Sequence, residues 1–264
     1  VDFLQTKSIL TRPSGFIGAF DFTLNPYSGC TFGCSYCYAA FFARTDALKD
    51  EWGQWVQVKE NALEVLRKHR KRPLFGKSIY MSSVTDPYQP IEKDLKLTRG
   101  IVEELLTYHQ PRLVIQTRSP LVTRDIDLLR QFRHVQVNMT VTTDDEEVRR
   151  VFEPTCPSNE RRLEAVRQLA DAGVPTCVTM TPLLPVRDPA AFAARVKASG
   201  AGRHVVQFFH DADRRFVAGT GKAALDLCRE RRWTAERYAE VVAVMRQTLP
   251  ALYEGQAGFV PINE

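Results

Sequence analysis

Short apolar runs rich in Val, Ile, Phe and Thr recur along most of the chain, separated by longer stretches in which apolar residues sit three and four apart. Runs of the first kind suit strands buried on both faces. They predict strands at Phe20–Leu24, Ser78–Ser82, Arg112–Thr117, Val135–Val141, Thr176–Thr181 and Val205–Phe209. The intervening stretches predict helices over Ala39–Lys71, Thr98–His109, Arg124–Arg133, Asn159–Ala172 and Pro189–Ala198. The fourth has the clearest stripe, with Leu163, Val166, Leu169 and Ala170 on one face, Ser158 placed to cap its start, and Gly173 and Pro175 to end it.

Six strands alternating with helices imply βα units and a parallel sheet. Six falls short of the eight in a closed barrel, so an open or partial barrel fits the count. Residues 1–19 read as an extension before the sheet, residues 20–210 as the barrel and residues 211–264 as a C-terminal helical extension. Gly219 to Gly221 marks a break, followed by helices predicted at Leu225–Arg231 and Thr234–Leu249, and by an irregular tail, GQAGFVPINE, that could cover a barrel opening.

Composition changes this picture little. The 264 residues are 44% hydrophobic and 25% charged, ordinary globular values, and the net charge of +5 permits an anionic partner without requiring one. No run approaches the about 18 apolar residues of a membrane helix. The first residues lack the pattern of a secretory signal. No repeat period or low-complexity tract stands out. Six cysteines, three of them crowded into eight residues, suit a reducing cytoplasm with one cysteine-based site better than a disulfide framework.

That crowded run carries the chemistry. Cys30-Thr-Phe-Gly-Cys34-Ser-Tyr-Cys37 follows the first predicted strand. Soft thiolates suit zinc or iron–sulfur. A structural zinc site needs four ligands, and the next histidine, His69, lies across a predicted helix. Three thiolates can instead hold three irons of a [4Fe–4S] cube and leave the fourth iron open.

The run from Asn25 through Cys30, Cys34 and Cys37 to Ala39 resembles the cluster loop of radical S-adenosylmethionine (SAM) enzymes, most closely the branch that includes spore photoproduct lyase. The similarity continues in Ser82-Ser-Val-Thr-Asp-Pro-Tyr-Gln-Pro90, Gln116-Thr-Arg-Ser-Pro120, Thr142-Thr-Asp-Asp145, Arg149-Arg-Val-Phe-Glu-Pro154, Asn159-Glu-Arg-Arg-Leu-Glu164 and Gly173-Val-Pro175. The resemblance implies an α/β fold, a partial (β/α)6 barrel with the cluster at its top. It also implies a [4Fe–4S] cluster on Cys30, Cys34 and Cys37, SAM chelated to the open iron, and a one-electron reductant such as flavodoxin or ferredoxin. Reductive cleavage of SAM would make a 5′-deoxyadenosyl radical that takes hydrogen from a substrate in the barrel.

Roles carried over by resemblance fall on named residues, each with a plainer alternative. Tyr36 would contact adenine, or simply pack; Tyr38 is expected to pack beneath the cluster. Ser82, Ser83, Thr85 and Asp86 replace the Gly-Gly-Glu stretch other members place near the SAM amino group, or form a capped turn. Arg118 would pair with the SAM carboxylate, or make a surface ion pair. Asn138 and Thr140 share a strand face and would hold the ribose, or pack inside the barrel, with Thr142 at the strand end. Cys177 could return hydrogen to a product radical, as a cysteine does in spore photoproduct lyase, or serve as a small buried hydrophobe. Cys156 and Cys228 are scattered and make no motif for a second cluster. The basic run Arg67-Lys-His-Arg-Lys-Arg72 would touch nucleic-acid phosphates, or form a solvated helix end.

The substrate stays open: a DNA lesion by analogy, or a small molecule or peptide. Two other classes compete. An iron–sulfur electron carrier would normally offer four cysteines and ignore SAM. A zinc-stabilised nucleic-acid-binding module would hold zinc and bind with steep salt dependence.

Overall fold

The computed structural model describes residues 1–209 and 221–262. Eleven strands form among them: β1 (Asp2–Leu4), β2 (Leu10–Thr11), β3 (Phe22–Leu24), β4 (Tyr27–Gly29), β5 (Val56–Lys59), β6 (Ser78–Met81), β7 (Arg112–Thr117), β8 (Val135–Thr140), β9 (Thr176–Leu183), β10 (Arg203–Phe208) and β11 (Leu252–Glu254). The main sheet runs β11-β10-β9-β8-β7-β6-β3-β2. From β3 to β10 its six neighbours are all parallel, in the order and at the places the apolar runs predict. This is the partial (β/α)6 barrel, widened by antiparallel β2 at one edge and parallel β11 at the other.

The widening brings in residues outside 20–210. Leu10 pairs with Leu24 in the main sheet and Asp2–Leu4 pairs with β5. The C-terminal residues likewise add a strand, with His204 opposite Leu252. Strands of two or three residues carry too few positions for a period-two pattern to show.

A correction falls on Ala39–Lys71, which is not one helix. It breaks into a 3-10 turn at Tyr38–Phe42, a short helix at Asp46–Asp50, strand β5, a helix at Ala62–Arg67 and a 3-10 turn at Lys68–Lys71. The alternation Val-Gln-Val-Lys buries Val56 and Val58 and half-exposes the residues between, as a strand does. Gly53 sits so close to Gly33 that a Cβ on it would come within 2.7 Å of the Gly33 Cα. A helix there would lose that contact. The Arg124–Arg133 prediction shrinks to helix Ile126–Leu129 behind a 3-10 turn at Pro120–Asp125.

The remaining helices form where expected. Asn159–Asp171 starts at Ser158, whose Oγ accepts from the Arg161 N–H at 3.3 Å, and is followed by Gly173 at φ +78°. Helices at Lys222–Glu230 and Ala235–Thr248 fill the C-terminal part, the second capped by Thr234. A helix at Glu146–Phe152, capped by Asp145, was not expected. Gly219 lies outside the described residues.

The two faces of the main sheet differ. Ile79, Met81, Leu113, Ile115, Val137, Met139, Val178, Met180 and Val206 face outward into the main core under the helices. The inner face has an apolar floor of Phe20, Tyr80, Val114, Cys177, Val205 and Phe259. Phe259 comes from the tail, which therefore does close one opening. Beyond the floor the wall turns polar: the Tyr80 hydroxyl donates to Gln116 Oε1 at 2.8 Å, and Gln116 Nε2 donates to Thr140 and Thr179 Oγ1 at 2.8 and 3.0 Å.

A second sheet, β1-β5-β4, carries the cysteine loop. β4 ends at Gly29 with φ +77°, and a Cβ there would fall 2.4 Å from the Trp55 ring. Glycine is needed on both counts.

Candidate functional site

The cysteine loop lies against the carboxyl ends of β3, β6 and β7, the rim where ligand sites sit in such folds. Four tethers fix it there. Asn25 Oδ1 accepts from the Ser83 and Val84 N–H groups at 3.0 and 3.1 Å. The Thr85 hydroxyl donates to the Gly29 carbonyl at 2.6 Å, the Thr31 N–H donates to Gln89 Oε1 at 3.1 Å, and the Tyr38 hydroxyl donates to the Ser83 carbonyl.

Cys30 and Cys34 are buried and Cys37 half-buried, all as free thiols. Burial pushes Cys30 well up, helped by Asp86 and the other two thiols, and pushes Cys37 up to about 11. Cys34 goes the other way: its hydrogen-bond contact with Cys156 and the nearby Arg118 charge favour its thiolate against burial. Cys156 itself is raised by burial and by that contact. Its Sγ stands 3.6 Å from Cys34 Sγ, so one of the cysteines expected to be scattered lies against the loop.

Tyr36 points away from solvent and donates its hydroxyl to Glu153. Glu153 also accepts from Thr142 Oγ1 at 3.1 Å and pairs with Arg162 at 2.6 Å, both partners of that ion pair having no exposed side-chain area. Burial alone would raise Glu153, but Arg162, Arg118 and Tyr36 outweigh it and hold the carboxyl below its usual range. Neither Glu153 nor Arg162 figures among the sequence candidates. Both lie in the segments that carry the resemblance, and Arg162 falls on the apolar stripe, four before Val166 and seven before Leu169, where a charge needs a buried partner.

Arg118 ends β7 with its N–H on Asp86 Oδ2 at 2.8 Å. Its guanidinium donates to the Tyr36 hydroxyl at 3.3 Å and stands 5.8 Å from the ring centroid. Its Nε is buried with no partner. Asp86 accepts from Thr117 Oγ1 and the Tyr88 and Arg118 N–H groups. Thr85 is committed to Gly29 and Gln89. These bonds are the ones expected of the capped turn. Ser83 is tied to Asn25 by 3.2 Å. Ser82 differs: it takes φ +74°, and its buried Oγ has no partner.

The other candidates separate from this rim. Tyr38 does not pack beneath the loop; its ring is half exposed and meets Phe42 edge-on. Asn138 accepts from Gln136 at 2.7 Å, and Thr140 joins the Gln116 bonds on the same inner wall. Cys177 lies in the apolar floor, its thiol pushed up to about 12 by burial, in the surroundings of a small buried apolar residue. In the basic run, Arg70 grips Glu104 through two bonds of 2.6 Å and stacks 3.5 Å above Tyr108, and Arg67 reaches the same carboxylate. These two arginines of the run are engaged with neighbouring side chains.

The donor set fits a cluster better than a lone ion. Among the described residues no three His, Cys, Asp or Glu side chains are gathered around a single point. Three thiols in one loop match in number the three irons of one cube that take protein ligands. Two buried polar atoms without partners, Arg118 Nε and Ser82 Oγ, lie at the ends of the neighbouring strands β7 and β6, as a polar ligand bound beside the loop would require.

The sequence profile described as the radical SAM superfamily matches residues 24–197. The chain belongs to the radical SAM superfamily. An uncharacterized protein of Methanocaldococcus jannaschii is 40% identical over 175 residues, 66% of this chain and 64% of that protein, so the chain covers less than two thirds of that relative's length. A radical SAM Nalpha-GlyT isomerase of Pseudomonas phage M6 is 24% identical over 162 residues, 61% of this chain and 32% of that protein. Among solved structures, spore photoproduct lyase complexed with dinucleoside spore photoproduct superposes with a TM-score of 0.60 at 15% identity, over 96% of this chain and 80% of that one. That likeness establishes the shared fold. Membership implies a [4Fe–4S] cluster and SAM. No helix among the described residues is long and apolar enough to cross a membrane.

Proposed function

We propose that this chain is a radical SAM enzyme whose residues 20–210 form the catalytic unit, with residues 1–19 and 211–264 as extensions. Cys30, Cys34 and Cys37 would hold the [4Fe–4S] cluster, and SAM would bind at the iron they leave free. When bound, this pair supplies a one-electron reductive cleavage that yields a 5′-deoxyadenosyl radical and methionine. The observation that carries the reading is the pairing of three thiols on one loop with unpartnered Arg118 Nε and Ser82 Oγ on the adjoining strand ends.

The chain's own residues then have distinct tasks. Arg118 offers a planar fork to a carboxylate, and Asp86 fixes the backbone that aims it. Ser82 offers a hydroxyl, and Ser83 a less free one. Tyr36, locked by Glu153, presents an immobile ring edge for an adenine, and Asn138 and Thr140 line the wall where a ribose would lie. The buried loop excludes water from the reacting atoms.

The inner wall bears on substrate class. Tyr80, Gln116, Thr140 and Thr179 are neutral and mutually hydrogen-bonded. Such a wall favours a neutral substrate group rich in donors and acceptors over a second carboxylate or phosphate. A nucleobase is such a group, and spore photoproduct lyase, with which this fold superposes, has been captured with a dinucleoside. A DNA lesion or other modified base is therefore the leading substrate class, with flavodoxin or ferredoxin as the type of electron donor.

The deciding experiment is anaerobic reconstitution, electron paramagnetic resonance under dithionite with and without SAM, and an assay for 5′-deoxyadenosine. A reduced-cluster signal that SAM perturbs, together with deoxyadenosine, is expected. Zinc in place of iron, or a cluster indifferent to SAM, would replace this reading with the binding-module or electron-carrier class.

Arg118 gives a second, independent check. Its replacement by Ala should weaken SAM binding by about 1.5–3 kcal/mol, the worth of a hydrogen bond to a charged group. Unchanged affinity by calorimetry on the reconstituted protein would remove the assigned carboxylate partner.

A further inference from the structure

Cys156 stands outside the three-cysteine run, yet the fold returns it to that run. Its Sγ lies 3.6 Å from Cys34 Sγ, a contact in which either thiol can donate, and 3.7 Å from the Phe32 carbonyl oxygen, a second acceptor within reach of its S–H; both cysteines are buried. Several bonds enforce the approach. The Thr155 hydroxyl donates to the Thr31 and Phe32 carbonyls, each at 2.8 Å. The Ser35 N–H donates to the Phe152 carbonyl at 2.9 Å. Arg149 Nη1 then closes the turn behind Cys156 by donating to the Glu153 and Cys156 carbonyls at 3.0 and 2.8 Å. These bonds fix the Cys156 backbone beside Cys34.

A cysteine so placed could act as a further ligand or as a hydrogen-bond donor. Two thiolates on different irons of one cube are held apart by the body of the cube. A sulfur in van der Waals contact with Cys34 Sγ is too near it to serve a separate iron while Cys34 serves its own. The donor role needs only the contact already present.

We propose that the Cys156 S–H donates a hydrogen bond to the Cys34 sulfur and thereby raises the reduction potential of the cluster that Cys34 helps to hold. The inference rests on the assignment of Cys30, Cys34 and Cys37 as cluster ligands. Reduction adds an electron whose charge spreads onto the ligand sulfurs, so a fixed donor stabilises the reduced state more than the oxidised one. Burial strengthens the effect, because no water competes for the sulfur. Cys156 is thus a positioning residue that eases the first electron transfer and touches neither SAM nor substrate.

The test is a redox titration of the reconstituted wild type, Cys156→Ala and Cys156→Ser, followed by electron paramagnetic resonance, with iron content measured for each. At a fixed applied potential, Cys156→Ala should show a ratio of reduced to oxidised cluster about threefold to tenfold lower, tenfold being about 59 mV for one electron. Its iron content should match the wild type. Cys156→Ser keeps an O–H donor and should titrate closer to the wild type than Cys156→Ala does. Coincident titrations of Cys156→Ala and wild type overturn the proposal. So does loss of the cluster from a folded Cys156→Ala chain, which would make Cys156 a ligand. Should Cys156→Ala not fold, the serine variant decides: a potential unchanged or raised supports donation, and a fall of tenfold or more in the ratio refutes it. A wild-type chain without any [4Fe–4S] cluster fails the proposed function instead, so the two failures are distinct.

Discussion

Replacing Cys30 with Ala should strip the chain of its intact iron–sulfur cube while leaving the barrel folded. Iron should drop from about four per chain, the absorbance of the cluster should vanish, and deoxyadenosine formation should fall to background. Cys30 is the better probe than Cys34, because Cys156 stands 3.6 Å from Cys34 and offers a spare thiol where Cys34 is removed. Folding should survive because the loop is pinned through other groups: Thr85 to Gly29, Gln89 to Thr31, Thr155 to Phe32. The lost thiol itself should cost about 1 kcal/mol, the usual scale of a small truncation. Circular dichroism and iron analysis on the same sample separate the outcomes. A folded variant with full iron content would remove Cys30 from the ligand set.

The legibility of this molecule follows the range of the interactions concerned. The parallel strands showed themselves because most are buried on both faces and read as short apolar runs, as in Leu113-Val-Ile115, while Val135-Gln-Val-Asn-Met139 alternates with polar residues that line the inner wall. The flanking strands β1, β2 and β11 are held by pairing alone, with only two or three residues each, and left no pattern. Ala39–Lys71 misled because its charged and apolar residues mimic helical spacing, while the contact that forbids a helix, Gly53 on Gly33, lies between residues far apart in the sequence.

The site divides in the same way. Three cysteines in eight residues are local and need no fold to be noticed. Cys156, Glu153 and Arg162 join them from more than a hundred residues away, and nothing in the order of residues fixes that encounter. Thr85 and Asp86 show another side of this: the sequence offers them as candidates, and only the fold shows that their polar atoms already bond Gly29, Thr117 and the backbone at Arg118. A candidate polar residue is informative only once its own hydrogen bonds are counted.

Replacing Arg162 with Met should destabilise the fold by about 3–5 kcal/mol, the cost of leaving one partner of a buried pair uncompensated. Arg162 is fully buried and binds more than Glu153: Nε donates to the Pro157 carbonyl at 2.9 Å and Nη1 to the Thr140 carbonyl at 3.1 Å. Its loss strands a carboxylate that also anchors Tyr36 and Thr142 beside the cysteine loop. The pH dependence has a definite sign. In the wild type Glu153 is held below its usual value, so its contribution to stability is present above the unfolded carboxyl range and is lost as pH falls. In the variant, burial without Arg162 favours the protonated acid, so the penalty is greatest near neutrality and shrinks as pH falls through the carboxylate range. The gap between wild type and variant in urea denaturation should therefore narrow from pH 7 to pH 4. Adding Glu153→Gln should recover part of the loss at pH 7, since a neutral amide strands no charge. A constant gap, or a double variant no more stable than Arg162→Met alone, would mean that lost packing rather than an orphaned charge sets the cost.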